Sequence, residues 1–227
     1  MHIYCDFDGT ISCDDTTDVV LSALASHEWE MIEAEWKAGE IGSAECMQRQ
    51  IALIKPDHAA LDALLDTIDI DPGFTDFLSF TKDASLPVSI LSDGVDYFIH
   101  RILSRHQISY LPIRANHLAT THDGRFVLTS PYQDQDCAAK SGVCKCKAIN
   151  MGREPRIFIG DGRSDFCASG NADIVFAKGT LATFCEQQGI AYHAYSTFHD
   201  VTRMLKALLP SLKHEQYGLF APNRSVI

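Results

Sequence analysis

The sequence predicts an α/β fold in which helices flank a parallel β-sheet and a further helical segment is inserted between the first two strands. Short apolar runs that end in Asp or Gly alternate with stretches of helical periodicity, which is typical of parallel strands joined by crossover helices. About 80 residues separate the first two predicted strands, many more than one crossover helix requires. The 227-residue chain is long enough for one domain with such an insertion.

The N-terminal part of the chain contains the first strand and the insertion. The first strand is predicted at residues 3–7, an apolar run followed by acidic residues and glycine. Helical periodicity then continues, with breaks at Gly39 and Gly42, as far as the turn at Asp71-Pro72-Gly73. We therefore expect an α/β core of residues 1–13 and 72–227, and an inserted α-helical cap of residues 14–71.

The rest of the chain continues the alternation of strands and helices. A second strand is expected at residues 86–91, and Asp123-Gly124 indicates a hairpin because this pair readily adopts the positive φ angles of a tight turn. Further strands are expected at residues 156–159 and 174–176, and helices at residues 74–82, 95–105, 145–152, 164–170, 181–189 and 198–209. Residues 210–227 contain two prolines and little periodicity, so we expect little order there.

Composition and charge exclude some classes of function. Lys and Arg number 19 against 30 Asp and Glu, and the resulting net charge of −11 disfavours nucleic-acid and membrane-surface partners. A small anionic substrate is compatible with this charge because a bound metal ion can reverse the field of one pocket. No apolar run approaches the ~20 residues of a membrane-spanning helix. The N-terminus resembles a strand and not a signal-like leader, so we expect a cytoplasmic protein with reduced cysteines.

Acidic residues follow three of the predicted strands. The three segments are Asp6-Phe7-Asp8-Gly9-Thr10, Ser92-Asp93-Gly94 and Gly160-Asp161-Gly162-Arg163-Ser164-Asp165. Each Asp-Gly pair taken alone is commonly only a turn. In a parallel sheet, however, the carboxyl ends of the strands share one edge, and ligands bind there. Converging carboxylates need a cation, and oxygen ligands of this kind suit Mg²⁺ with a substrate phosphate completing its shell.

The spacing of Asp6 and Asp8 suits chemistry on a phosphate ester. Two carboxylates that are two residues apart at a strand end can serve as a nucleophile and a general acid/base. The hydroxyls of Thr10 and Ser92 can donate to phosphate oxygens, and a lysine is needed to balance the charge of the transition state. Three lysines precede the last acidic segment and are candidates for this role: Lys140, Lys145 and Lys147.

These segments resemble the motifs of the haloacid dehalogenase (HAD) superfamily of phosphohydrolases, and the resemblance extends over residues 1–209. It implies a Rossmann-like core with an inserted α-helical cap, and a Mg²⁺-dependent phosphomonoester hydrolase. It further implies that Asp6 is the nucleophile that forms an aspartyl-phosphate and that Asp8 protonates the leaving alcohol. A second aspartate at position 8 indicates a phosphatase or phosphotransferase, because dehalogenases and cation pumps of the superfamily lack it.

The same resemblance implies a set of binding residues. Mg²⁺ is expected on Asp6, the backbone carbonyl of Asp8 and Asp161, with Asp165 supporting these ligands. The residues expected to bind the phosphate are Thr10, Ser92, Gly94 and Lys145. Among the three candidate lysines Lys145 is favoured, because residues 141–145 resemble the Gly-Cys-Cys-Lys segment of one subfamily.

Two subfamilies with such a cap are similar to this chain: phosphoserine phosphatases and the methionine-salvage phosphatases of 2-hydroxy-3-keto-5-methylthiopentenyl-1-phosphate. Phosphoserine phosphatases hold the amino-acid head group with a Glu and an Arg, and this chain has Asp15 and Gln50 in their places. Arg49 is about 100° around the helix from Gln50. Since a bidentate arginine contributes strongly to carboxylate recognition, its absence weakens the case for phosphoserine without excluding it. The methionine-salvage type is favoured because Asp15, residues 71–74, residues 92–98 and the Cys-Lys segment resemble it more closely. A phosphoserine phosphatase, a phosphotransferase and a catalytically dead phospho-ligand binding protein are the alternatives.

Three cysteines, Cys137, Cys144 and Cys146, cluster around the candidate lysines. With His117 or His122 as a fourth ligand they could bind Zn²⁺. The spacing Cys-x₆-Cys-x-Cys is not a common zinc pattern, and the alternative is a group of reduced, partly buried thiols beside the active-site loop.

Overall fold

The computed structural model of this protein describes residues 1–151 and 154–218, with side chains as far as Pro210. Within these residues seven strands form one sheet with the spatial order β4-β3-β2-β1-β5-β6-β7. The strands are β1 (His2–Cys5), β2 (Val88–Val95), β3 (Ile113–Thr120), β4 (Phe126–Thr129), β5 (Arg156–Gly160), β6 (Ile174–Ala177) and β7 (His193–Ala194).

The sheet is parallel except at one edge. The central strand β1 pairs in parallel with both β2 and β5, and β3, β6 and β7 extend the parallel part. The edge strand β4 is antiparallel to β3, with His117 opposite Thr129. The predicted hairpin at Asp123-Gly124 is therefore confirmed, and it makes the sheet mixed. Gly124 has a φ of +86°, the left-handed conformation that this turn requires.

Four helices lie between β1 and β2, where the sequence predicts the inserted segment. They are α1 (Thr16–Leu24), α2 (Trp29–Lys37), α3 (Ser43–Ile51) and α4 (His58–Leu65). The helical stretch expected between the first strand and the break at Gly39 is thus two helices, since residues 25–28 interrupt it. The helix α4 is tied to the next part of the chain because Arg101 forms ion pairs with Asp62 and Asp66.

The remaining helices connect the strands of the sheet. They are α5 (Phe74–Asp83), α6 (Asp96–Arg105), α7 (Lys145–Asn150), α8 (Phe166–Ser169), α9 (Gly179–Gln188) and α10 (Phe198–Gly218), with a 3₁₀ turn at Arg163–Asp165. The prediction of little order from residue 210 is wrong for residues 210–218, because Pro210 lies inside α10 and does not end it. Residues 219–227 are outside the described residues. No described helix combines the length and the apolar character needed to cross a bilayer.

The core consists of two apolar clusters on the two faces of the sheet. Successive side chains of a strand point to opposite faces, and in β5 Ile157 and Ile159 belong to the larger cluster whereas Phe158 belongs to the smaller one. Helices α1, α5, α6 and α10 contribute to the larger cluster, and α7, α8 and α9 cover the smaller one. Burial on both faces fixes the central strands, and with them the edge where the acidic segments lie.

Candidate active site

The three acidic segments meet at the carboxyl edge of the sheet. Asp6 and Asp8 follow β1, and Asp161 follows β5, which pairs directly with β1. Ser92 and Gly94 lie in the last part of β2, on the other side of β1, where the register with β3 shifts between Leu91 and Val95. The strand order therefore brings together residues that are up to about 150 positions apart in the chain.

Two glycines allow this close approach. Gly9 has a φ of +66°, and a Cβ at this position would lie 2.7 Å from Oδ2 of Asp161. Gly94 leaves no room for a side chain either, because a Cβ there would collide with Oδ2 of Asp8. Because glycine has no side chain, Asp161 can approach Gly9 and Asp8 can approach Gly94 this closely.

Lys145 is the buried cation of the site. It is the first residue of α7, and its side chain is fully buried. Its Nζ lies 2.8 Å from Oδ1 of Asp6 and 2.6 Å from Oδ1 of Asp165, and it donates to Oγ of Ser164 at 3.0 Å. Burial opposes the charge, but the carboxylates of Asp165 and Asp6 outweigh it and hold the pKa of Lys145 above its ordinary value.

The other two candidate lysines lie outside this network. Lys147 is exposed and pairs with Asp134. Lys140 is also exposed, and its backbone carbonyl accepts a hydrogen bond from the amide of Ala44 in α3. Of the three lysines that the sequence offers, Lys145 is the one beside Asp6.

Asp6, Asp161 and Asp165 form a carboxylate group that suits a divalent cation. One oxygen of each lies within 4.8 Å of the others, and no other His, Cys, Asp or Glu group in the described part of the chain meets this criterion. Burial, followed by the Asp165 carboxylate, raises the pKa of Asp6 well above its ordinary value. If all three carboxyl groups were ionised, they would exceed the single charge of Lys145 by two negative charges. The raised pKa of Asp6 in part reflects this repulsion, which a divalent metal ion would relieve, so these residues fit such an ion.

Asp161 and Asp165 are each held by hydrogen bonds. Thr10, which is fully buried, donates from Oγ1 to Oδ1 of Asp161 at 2.7 Å. Oδ2 of Asp165 accepts from the amides of Asp161 and Gly162. Burial and the neighbouring Asp165 raise the pKa of Asp161 to about 6. In this arrangement the Thr10 hydroxyl orients Asp161. A contact of Thr10 with the substrate phosphate stays a prediction.

Asp8 is held separately by the first turn of α1. Its Oδ1 accepts hydrogen bonds from the amide of Thr16 at 2.9 Å and from the Thr16 hydroxyl. Burial and the nearby Asp15 raise the pKa of Asp8 to about 7. A carboxyl group with this pKa exchanges a proton near neutral pH, as a general acid/base requires.

A cavity of about 180 Å³ opens between this edge and helices α1–α3. Its floor includes Asp6, Asp8, Ser92, Gly94 and Asp161. Its wall on the side of the inserted helices is formed by Asp15, Thr17, Asp18, Glu33, Trp36, Ser43, Cys46, Met47 and Gln50. The cavity therefore has an acidic floor and a mixed polar and apolar wall.

The two residues predicted to contact substrate, Asp15 and Gln50, both line this cavity. Asp15 caps α1 by accepting from the amide of Asp18 at 3.0 Å. The Gln50 amide group donates to Glu33 at 3.0 Å. Arg49 makes a bidentate ion pair with Glu35 and does not line the cavity, in agreement with its predicted position on another face of the helix.

Sequence reasoning missed several residues of the site. Oδ1 of Asp93 accepts from the amide of Val143, just before α7, while its Oδ2 accepts from the hydroxyl of Ser43 in α3. The amide side chain of the buried Asn116 donates to the backbone carbonyl of Asp93. Position 93 within the acidic segment was a signal for Asp93, but nothing in the sequence pattern distinguishes Asn116 or Ser43.

The structure gives no support to a zinc site at the cysteines. Cys144 and Cys146 have their Sγ atoms 3.4 Å apart, but neither they nor Cys137 belong to a group of three potential ligands within reach of one ion, as far as the described residues go. Nδ1 of His117 pairs with Asp96 instead, at 2.7 Å. The alternative of reduced thiols beside the loop agrees with this arrangement.

Comparison with known proteins gives the chain a family. A model of the family described as "Putative Phosphatase" matches residues 1–182. The chain is 32% identical over 216 residues to 2-hydroxy-3-keto-5-methylthiopentenyl-1-phosphate phosphatase of Bacillus mycoides (strain KBAB4), covering 92% of this chain and 97% of the relative. It is 29% identical to the protein of the same name from Brevibacillus brevis (strain 47 / JCM 6285 / NBRC 100599), covering 90% and 94%.

Solved structures share the fold. A substrate-bound phosphoserine phosphatase complex matches with a TM-score of 0.67 and 16% identity over 89% of this chain and 96% of that one. A phosphoserine phosphatase carrying a phospho-aspartyl intermediate analogue matches with a TM-score of 0.64 and 17% identity, covering 92% and 97%. With the family match over most of its length, the chain belongs to the "Putative Phosphatase" family of HAD-superfamily phosphoric monoester hydrolases.

Proposed function

We propose that this protein is a Mg²⁺-dependent phosphomonoesterase that hydrolyses a small phosphorylated metabolite through an aspartyl-phosphate on Asp6. The observation that carries the proposal is the position of the buried Lys145 ammonium between Asp6 and Asp165, next to Asp161. We further propose that residues 14–71 act as a cap over the site, since the helices within this range form one wall of the cavity.

In the proposed reaction, a carboxylate oxygen of Asp6 attacks phosphorus and the bond from phosphorus to the ester oxygen breaks. Asp8 gives its proton to the departing oxygen, and its pKa of about 7 suits this donation. Asp8 then takes a proton from a water molecule that attacks the aspartyl-phosphate, which releases phosphate and restores Asp6. Lys145, Ser92 and the Gly94 backbone are proposed to hold the phosphoryl oxygens.

The proposed Mg²⁺ ligands are Asp6, Asp161 and the backbone carbonyl of Asp8. Asp165 is proposed to support them, since it accepts a hydrogen bond from the amide of Asp161 and pairs with Lys145. Hard carboxylate oxygens are the ligands that Mg²⁺ prefers. When bound, the ion supplies positive charge that attracts the phosphate and offsets the charge developing on its oxygens. The excess of negative charge around Asp6 supports this assignment.

The proposed substrate is 2-hydroxy-3-keto-5-methylthiopentenyl-1-phosphate, the compound named in the relatives that are about 30% identical over nearly the whole chain. The side of the cavity formed by α3 supports this choice over phosphoserine, because Gln50 stands there in place of an arginine and Arg49 is engaged with Glu35. Arg163, the arginine that does line the cavity, comes from the loop after β5 and lies over the Trp36 ring. Phosphoserine hydrolysis and phosphoryl transfer to an acceptor alcohol are the other reactions that this site could perform.

The test is hydrolysis of p-nitrophenyl phosphate and of a panel that includes both named substrates. We expect Mg²⁺-dependent release of phosphate that EDTA abolishes, and we expect Asp6→Asn to lose more than about a thousandfold in kcat because it lacks the nucleophile. Asp83→Asn, an exposed aspartate remote from the site, serves as the control and should behave as wild type.

Other outcomes would separate the alternatives. Turnover by a folded Asp6→Asn protein would contradict the nucleophile assignment. Formation of an alkyl phosphate in the presence of an added alcohol would indicate a phosphotransferase. Binding of phosphate compounds by the wild type without any turnover would indicate a catalytically dead binding protein.

A further inference from the structure

Three free thiols lie around the start of α7, where Lys145 is. Cys144 and Cys146 are the neighbours of Lys145 in the chain, and their Sγ atoms lie 3.4 Å apart. Cys144 is also within hydrogen-bonding reach of the thiol of Cys137, which lies in the loop before α7. The proposed hydrolysis uses none of these sulfur atoms, so their position beside the buried cation of the site needs another explanation.

The Cys137 thiol is the most easily ionised of the three. Its Sγ lies 3.3 Å from the hydroxyl of the buried Ser141. Burial opposes ionisation of Cys137, but hydrogen bonds from Ser141 and from the Cys144 thiol outweigh it and lower the pKa of Cys137. Burial raises the pKa of Cys144 to about 12 and raises that of Cys146 as well. Cys137 is therefore the expected nucleophile toward an oxidant, and Cys144 is the protonated thiol beside it.

Small molecules can approach this pair of thiols from the surface. Cys144 lines a cleft of about 200 Å³ beside the exposed Tyr132, although most of the Cys144 residue is buried. The residues on either side of Cys137, Asp136 and Ala138, are exposed. Hydrogen peroxide is only slightly larger than water, so a cleft of this volume admits it.

The position of Lys145 leaves little room for a movement of Cys144. The Lys145 ammonium lies 2.8 Å from Asp6 and 2.6 Å from Asp165, and such hydrogen bonds are made at about 2.7–3.2 Å. Two sulfur atoms that are joined by a disulfide are closer than two thiols in contact. Closing such a bond therefore moves Cys144, the residue immediately before Lys145. A displacement of about 1 Å in a site can cost about a hundredfold in rate.

We propose that Cys137 and Cys144 form a reversible oxidation site, at which a hydroperoxide closes a disulfide that displaces Lys145 and suppresses turnover. Reduction of this disulfide by a small dithiol returns the Lys145 ammonium to Asp6 and restores turnover. The effect on turnover rests on the proposed phosphatase function, whereas formation of the disulfide does not depend on it.

The oxidation proceeds in two steps with hydrogen peroxide as the oxidant. The Cys137 thiolate attacks one oxygen of the peroxide, the O–O bond breaks, and the departing hydroxide takes up the proton that Cys137 released, which leaves a sulfenic acid on Cys137. The Cys144 sulfur then attacks the sulfenic sulfur, the S–O bond breaks, and the oxygen leaves as water with the proton of Cys144. The two thiols lose two electrons in total, and one peroxide becomes two water molecules.

The experiment treats the full chain with hydrogen peroxide in a buffer containing Mg²⁺ and stops the reaction with catalase. Hydrolysis of p-nitrophenyl phosphate is then measured, and disulfides are mapped by mass spectrometry of peptides. We expect a disulfide between Cys137 and Cys144 to accumulate in step with a loss of kcat of at least about tenfold. Dithiothreitol should remove the disulfide and restore kcat.

Serine variants identify the reacting pair. Cys137→Ser and Cys144→Ser each lack one of the two sulfur atoms and should keep their turnover during the same treatment. Cys146→Ser is the matched control, because Cys146 also lies beside Lys145 and in contact with Cys144 but has no part in the proposed bond. It should lose turnover as wild type does.

Three results would overturn the inference. The first is the absence of a disulfide between Cys137 and Cys144 after treatment, including its replacement by one between Cys144 and Cys146. The second is a disulfide that forms while hydrolysis continues at the untreated rate, and the third is equal inactivation of Cys137→Ser and wild type. Absence of hydrolysis before any treatment would instead contradict the phosphatase function, and the peptide map would still test the disulfide.

Discussion

At the scale of single residues, burial decides the chemistry of the carboxylates. Asp8 has its pKa raised to about 7 by burial and by Asp15, whereas the half-buried Asp66 and the exposed Asp123 have theirs lowered by hydrogen bonds from Arg101 and Thr121. The same residue type is thus a proton donor near neutral pH in one place and a permanent anion in another.

The raised pKa of Asp8 predicts an alkaline limit to activity. Asp8 must be protonated to donate to the leaving oxygen, so kcat/KM for n-propyl phosphate should fall as pH rises through about 7. p-Nitrophenyl phosphate should show a weaker limit, because its leaving group departs readily without a proton. The measurement is the pH profile of kcat/KM for both esters.

Asp8→Asn is the variant that checks the assignment. It should lose about 10²- to 10⁴-fold on n-propyl phosphate and less on p-nitrophenyl phosphate. An alkaline limit at the same pH in Asp8→Asn, or equal losses on the two esters, would show that another group titrates.

At the scale of elements, Asp93 joins three parts of the chain. It belongs to β2, accepts from Ser43 at the start of α3, and accepts from Val143 in the loop before α7. The Asp93 carboxylate therefore links α3 to the sheet and also binds the loop that precedes Lys145. We therefore expect the position of the Lys145 ammonium to depend on the contact between α3 and β2.

Ser43→Ala tests this junction. Loss of a hydrogen bond to a buried carboxylate should lower the free energy of unfolding by about 1.5–3 kcal/mol, measured by urea denaturation. It should also lower kcat for p-nitrophenyl phosphate, since α3 is released from Asp93. Ser26→Ala is the matched control, because the Ser26 hydroxyl also donates to a carboxylate, that of Glu28, but in an exposed position; its effect should stay within about 0.5 kcal/mol. Equal effects of the two substitutions would argue against the junction.

Elements with strong periodicity were predictable, and weakly specified ones were not. The four-residue strand β1 and the helix α6 follow from apolar patterns, because their buried residues recur with the period of each structure. The two-residue strand β7 has too few residues for a period. Pro210 predicted an end that α10 does not have, since packing of Val201 and Leu205 in the core supports the helix before it.

At the scale of the whole molecule, the net charge of −11 includes a concentrated part at the site. Asp8 and Asp161 have pKa values of about 7 and about 6 in the folded protein, against about 3.9 for an ordinary aspartate. Since the folded state binds these protons more tightly than the unfolded state does, their contribution to stability is complete below about pH 4 and is lost as pH rises through 6 and 7.

Metal-free protein should therefore melt several degrees lower at pH 8 than at pH 5, as about 1 kcal/mol corresponds to roughly 2–4 °C at this size. Millimolar Mg²⁺ should recover much of the loss at pH 8, because it binds the folded state alone. Asp161→Asn is the comparison: it should weaken both the pH dependence and the response to Mg²⁺. Equal increases in melting temperature on addition of Mg²⁺ to wild type and to Asp161→Asn would contradict the assignment of Asp161 as a metal ligand.

The residue types of the site and their place at the strand ends were predictable from the amino-acid sequence. Local patterns decide this, since an apolar run followed by Asp-x-Asp-Gly specifies both a strand and the acidic turn after it. The resemblance of residues 141–145 already favoured Lys145, but the folded chain was needed to place its ammonium beside Asp6, to join Ser43 and Val143 through Asp93, and to leave the Thr17 hydroxyl without a partner within the described residues. These are distances between residues far apart in the chain, and they depend on strand order and packing, which no local pattern encodes.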